Sequence, residues 1–334
     1  MSERVLHSAP PSMAGGSLGP LARAYYHIKP FIPASMRWAI RRFHSPSILR
    51  RNAATWPINY AASARPEDWQ GWPHGKQFAL VLTHDVESEA GLRNVGKLAE
   101  LEMEMGFRSS FNFIPEGTYD DPVELREWLS GQDFEVGVHD LYHDGHLYKS
   151  RESFSQKARI INRYLGKWQA VGFRSGFMLR QLDWLHDLNL LYDTSTFDTD
   201  PFEPQPDGSQ TIFPFFVKPP EGTSGQGYVE LSYSLPQDST LFLLLREKTP
   251  EIWKNKLEWI ASHGGLALVN IHPDYIDFSG KGRSGSTYPA ALLAGFLDHV
   301  KTTFGDSYWN PVAKELASWY KDRPAQNPPT SAHP

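Results

Sequence analysis

Cysteine is absent from all 334 residues, which excludes disulfides, thiolate metal sites and a cysteine nucleophile. No apolar run approaches the roughly 20 residues that a membrane-spanning helix needs. The opening Met1-Ser2-Glu3-Arg4 leads into a Pro-, Gly- and Ser-rich stretch with no apolar core of the secretory-signal kind. A soluble, cytoplasmic protein is the expectation. Acidic residues are scarce in the first 66 positions, where Glu3 stands alone against nine Arg and Lys. Since the whole chain has a formal charge of -5, the remainder is acidic, which argues against a nucleic-acid groove through its body.

What is present is enough apolar residue, 40% of the chain, to bury one large core. Residues 1–20 and 323–334 read as disordered ends, 21–75 as a basic arm and linker, and 76–322 as the folded domain. Within the arm, Ala34 to Phe43 places Met36, Ile40 and Phe43 on one helical face with Arg37 and Arg41 opposite. Two readings follow. The helix packs on the domain as a brace, or residues 25–51 make weak contact with an anionic membrane.

The domain alternates strand and helix patterns. Phe78–Thr83 is an apolar run of the buried parallel kind, followed by a helix over Ala90–Met105 stopped at Gly106. Strands are expected at Ser109–Ile114, Phe134–Val138, Ala170–Arg174, Leu191–Ser195, Tyr228–Ser232 and Leu266–Ile271. Helices are expected at Val123–Leu129, Ser153–Trp168, Leu182–Leu190, Glu251–Ser262 and Ala290–Thr303. From Phe197 to Asp238 the pattern breaks into Pro, Gly and aromatics, an elaborated loop. Repeated strand-helix units predict an α/β fold with a parallel barrel whose chemistry gathers at the C-terminal strand ends.

Those ends carry Asp85 and Glu87, His139 and His143, Arg174, Asp193 and Asp198, and His272. His139 and His143 fall four apart, one helical turn, so both imidazoles can face one way. Two imidazoles joined by a carboxylate suit one borderline divalent ion, zinc foremost. With 13 His in the chain, a chance pair is the competing reading, and each carboxylate alone is commonly a helix cap.

The segments Thr83-His84-Asp85-Val86-Glu87, His139-Asp140-Leu141-Tyr142-His143, Gly172-Phe173-Arg174-Ser175-Gly176-Phe177, Tyr192-Asp193 and Leu266-Ala267-Leu268-Val269-Asn270-Ile271-His272-Pro273 occur in the order of the five motifs of polysaccharide deacetylases. Over residues 78 to 275 the chain resembles this NodB-homology family, the fourth family of carbohydrate esterases. The resemblance implies a distorted (β/α)7-type barrel and metal-dependent removal of acetyl groups from N-acetylated sugars. It implies Asp85 as catalytic base, His139 and His143 as metal ligands, Arg174 as the arginine holding the base, and His272 as general acid. Asp193 or Asp198 would support His272.

The chain departs from the pattern at three places. Val86 stands where the family commonly has a second, metal-binding Asp, leaving Glu87 as the candidate third ligand. Asp140 replaces Ser or Thr after the first His, and Gly176 replaces a Pro. The departures keep open an inactive sugar-binding or assembly protein on the same fold, and a hydrolase of small C–N substrates is a third possibility. The expected partner is an N-acetylated sugar or oligosaccharide. Trp184, Phe197, Phe202, Phe213, Phe215, Phe216 and Tyr275 are candidates to stack on sugar rings, against core packing for each taken singly.

Overall fold

A computed structural model describes residues 34–222, 226–280 and 285–323; the expected disordered end 1–20 and the tail from 324 lie outside them. The first element, α1 (Ala34–Arg51), runs on through Pro46 beyond the expected Phe43. No helix among the described residues is long and apolar enough to cross a membrane.

The core strand is β1 (Phe78–Val86), all nine positions of which are buried. It continues three residues past the apolar run because its polar residues have buried partners. His84 Nε2 meets Glu102 Oε1 at 2.8 Å, and Glu102 Oε2 accepts from the Ser109 hydroxyl at 2.6 Å. Then follow α2 (Glu89–Met105), capped by the Ser88 side chain and ended by Gly106 in the left-handed region, and β2 (Ser109–Phe113). The series continues with α3 (Val123–Gly131), β3 (Glu135–His139), α4 (Arg151–Trp168), β4 (Gly172–Arg174) and β5 (Tyr192–Asp193).

The helix expected over Leu182–Leu190 is a single tight turn, Trp184–Asp187. Local bonds explain the difference: Asp187 is tied to α4 through Arg151 and Ser155, and its carbonyl accepts from the Asn162 side chain. After the loop come β6 (Phe215–Val217), β7 (Tyr228–Glu230), a wide π-type helix Ser239–Leu244, α5 (Glu251–His263) and β8 (Leu266–Ile271). Two short strands, β9 (Ile276–Asp277) and β10 (Tyr288–Pro289), precede α6 (Ala290–Phe304), β11 (Tyr308–Trp309) and α7 (Ala313–Asp322).

In the main sheet β8, β1, β2, β3, β4, β5 and β7 lie side by side in parallel, with β6 antiparallel at the far side. Backbone bonds from the N–H groups of Ser234 and Leu235 to the Leu268 carbonyl, both 3.0 Å, bring the segment after β7 against β8. The sheet is thereby curled into the expected barrel, with its polar strand ends at one mouth.

Outside that mouth, Lys256 of α5 and Asp198 form a fully buried ion pair, Nζ to Oδ2 2.8 Å. Burial pushes the Asp198 carboxyl up to about 6 even with the ammonium beside it. Lys256→Met leaves that carboxylate buried without its cation and should cost roughly 3–5 kcal/mol. Urea unfolding of the variant against the wild type measures this.

Candidate active site

Strand ends deliver the side chains. Alternation on β1 turns Val86 into the core, fully buried, while Asp85 and, just past the strand, Glu87 face the mouth. His139 closes β3, Arg174 closes β4, and His272 follows β8 directly. His143 comes by another route than the expected helical turn. The loop after His139 is irregular, with Asp140 and His143 both at positive φ, 56° and 51°. The Asp140 carboxylate holds this shape by accepting from the N–H groups of Leu141, at 2.7 Å, and Gly176, at 3.2 Å.

The structure brings Glu87, His139 and His143 together. One ligand atom from each lies within 4.8 Å of the others. His139 Nδ1 donates to the Arg174 carbonyl at 3.1 Å, a group that only accepts, which leaves Nε2 bare toward the mouth. The Nε2 atoms of His139 and His143 are buried and have no aligned hydrogen-bond partner. Nearest to them is Glu87 Oε1, at 3.1 Å from His143 and 4.0 Å from His139. Two imidazole nitrogens converging with a carboxylate are a donor set that fits a divalent cation. Glu87 is itself fixed, its N–H bonded to Asp274 Oδ2 at 3.0 Å and its Oε2 accepting from Tyr275 at 3.1 Å. Burial works to raise its carboxyl, but His143 and His272 hold it well below the ordinary range.

Asp85 lies beside this set, its Oδ2 4.0 Å from His139 Nε2. Three neighbours hold it: Arg174 Nη1 and Asn112 Nδ2 donate to Oδ1 at 3.1 and 3.0 Å, and Asn270 Nδ2 donates to Oδ2 at 2.8 Å. Burial disfavours the charge on Asp85, yet Arg174, with His139 and His272, keeps its pKa far below the usual carboxylate range. Asn112 and Asn270 are site residues that motif reading missed. Their signal was weak: Asn270 is the single polar residue of a buried strand, and Asn112 shares its strand with Ser109 and Ser110.

The carboxylate behind His272 is neither Asp193 nor Asp198. It is Asp238, whose Oδ1 sits 2.7 Å from His272 Nδ1 and whose Oδ2 accepts from the His272 N–H and the Tyr288 hydroxyl, both at 2.9 Å. Asp193 instead turns to Ser195, accepting from its N–H and hydroxyl at 2.9 and 2.8 Å, and Asp198 is consumed by Lys256. Burial alone would lower the His272 pKa; Asp238 and Glu87 push it up to about 10. His272 Nε2 points to the donor set, 3.7 Å from Glu87 Oε1. Of the aromatic candidates, Phe197, Phe213 and Phe215 are core, and Tyr275 serves Glu87.

With that geometry in view, the barrel can be set beside solved structures. It superposes on a Mycobacterium smegmatis protein provisionally described as a polysaccharide deacetylase, with a TM-score of 0.59 at 18% identity, covering 79% of this chain and 99% of that one. The chain has the polysaccharide deacetylase fold. Lower structural similarity extends to the Bacillus subtilis peptidoglycan deacetylase PdaC (TM-score 0.45, 10% identity, 75% of this chain and 93% of that one). The same holds for a family 4 carbohydrate esterase pseudoenzyme from Bacillus anthracis (0.42, 13%, 73% and 66%). No family model and no curated protein sequence matches the chain.

On this deacetylase fold, Gly176 has a specific steric duty. A Cβ there would fall 2.5 Å from Asp140 Oδ2 and 2.8 Å from His143 Cδ2. Gly176→Ala is therefore expected to displace both and, where the donor set takes up a divalent ion, to weaken that uptake roughly 10–100-fold, in the range of lost support for a metal ligand. Titration of the purified variant with zinc, with circular dichroism to confirm the fold, measures it.

Proposed function

We propose that this protein is a metal-dependent hydrolase that removes N-acetyl or O-acetyl groups from a carbohydrate in surface-glycan biosynthesis. The observation that carries the reading is the flanking of one donor set, Glu87, His139 and His143, by the Asp85 carboxylate held by Arg174 on one side and the His272 imidazole paired with Asp238 on the other. Deacylation needs that pairing, a proton acceptor for water and a proton donor for the leaving group.

A zinc ion held by these three residues would polarise the acetyl carbonyl and acidify a water molecule. The chain supplies the rest. Asp85 is ionised and immobilised by Arg174, Asn112 and Asn270, so its free lone pairs can take a proton from water without rearrangement. Asp238 engages His272 through Nδ1 and, with Glu87, favours its protonated form, so that Nε2, on the side of the donor set, can give a proton to the departing amine or hydroxyl. The net change is addition of water across the acyl bond, giving acetate and the free amine or alcohol.

This assignment predicts separable losses. Asp85→Asn and His272→Ala should each lower kcat for acetate release from an N-acetylated oligosaccharide by roughly 10²–10⁴, with zinc retained. His139→Ala should lose the zinc itself while staying folded. Metal analysis beside an acetate assay distinguishes the two classes, and a wild type that holds zinc but releases no acetate from N- or O-acetylated sugars would replace the hydrolase reading with a binding protein.

A further inference from the structure

The helix α1 does not use its apolar stripe to hold the barrel. It is attached by its other side: Trp38 and Leu49 pack on the core, Ser45 is buried, and Arg42 donates to the Leu243 carbonyl from Nε and Nη2 at 3.0 and 2.9 Å. Met36, Ile40 and Phe43, spaced by four and three residues, are left on the outside at 54%, 44% and 81% exposure. They are half of the large apolar side chains that stand exposed among the described residues. Concentration on one face of one helix is what distinguishes an interaction surface from ordinary scattered exposure.

The charge around the stripe identifies its occupant. The helix contains no Asp or Glu, and Arg41, Arg50 and Arg51 are exposed along it. A second copy of the chain meeting this face across a two-fold axis would set arginines against arginines. A surface that is apolar at a shallow depth and negative above it satisfies both properties, and that is an anionic lipid bilayer. We infer that α1 docks this protein on anionic membrane, with Phe43, Ile40 and Met36 entering the headgroup boundary and Arg50 and Arg51 pairing with lipid phosphates.

The test is sedimentation of the full chain with vesicles of phosphatidylcholine alone and of phosphatidylcholine mixed with phosphatidylglycerol. Binding is expected to the mixed vesicles only, and to weaken as salt screens the charges. Each basic residue at such a surface is worth roughly fivefold in partitioning, so Arg50→Glu with Arg51→Glu should reduce binding by more than tenfold. Ile40→Glu with Phe43→Glu should abolish it, and Phe43→Ser alone should weaken it several-fold, with thermal unfolding of Phe43→Ser unchanged because that side chain is 81% exposed. Absence of binding to the mixed vesicles, or binding that these variants leave intact, would overturn the inference. So would a dimer in sedimentation velocity that Phe43→Ser dissolves, which would assign the stripe to a second copy.

Discussion

Arg174 is the residue on which both halves of the candidate site depend. Its guanidinium, wholly buried, donates from Nη1 to Asp85, Asn270 and Thr83 and from Nε to the Thr194 carbonyl, joining β1, β8 and the end of β5 at one point inside the barrel. Its own carbonyl receives His139 Nδ1 and the Asp140 N–H, so the backbone of one residue orients an imidazole of the candidate donor set while its side chain orients the proposed base. A buried guanidinium is costly to desolvate and is tolerated only where acceptors surround it. Here the acceptors of Nε and Nη1 come from several strands, so the barrel must close before the charge is compensated. Fold and site are in this sense a single requirement.

The parts of the site that could be read from the sequence are those whose geometry is local. Alternation along a buried run is enough to put Asp85 and Glu87 at one mouth, and the pattern around Leu266–Ile271 is enough to place His272 at the end of a strand. The long amphipathic helices also needed only their own periodicity, which is why α2, α4, α5 and α6 were legible to within two residues. Asp238 was not legible, because nothing near it in the chain distinguishes a helix cap from a partner for His272. It is both, accepting from the Ser239 N–H while holding the imidazole 34 residues away. The short strand β11 and helix α7 were also passed over. β11 is only two residues long, and α7, though it buries Ala313, Leu316, Ala317 and Tyr320 at helical spacing, docks through contacts of long reach such as Arg108 to Glu315 and the Ala313 N–H to Ser110.

The spacing of His139 and His143 gave a right answer through a wrong intermediate. Four residues apart suggests a helical turn, yet the loop achieves the convergence with two non-glycine residues in the left-handed region. That conformation costs of order 1–3 kcal/mol per residue and persists only where surroundings enforce it. The surroundings are Asp140's own two accepted hydrogen bonds and the Phe177 ring, stacked 4.3 Å from the His143 ring. Strain concentrated at the ligand loop is what a site with a defined occupant would be expected to retain.

The departures from the deacetylase motifs also make physical sense once they are taken in pairs. A metal ligand at position 86 would have to leave the mouth side of β1, where alternation assigns 85 and 87, so Val86 fills the core and Glu87 reaches the donor set with its extra methylene. Asp140 and Gly176 are coupled more tightly. The Asp140 carboxylate accepts the N–H of residue 176, a bond that a proline there could not provide, and any Cβ at 176 would collide with that same carboxylate. Restoring the common residue at either position alone would remove the hydrogen bond or create the clash. The two replacements therefore form one alternative solution to holding His143, and read singly each looks like damage to a site that together they keep in order.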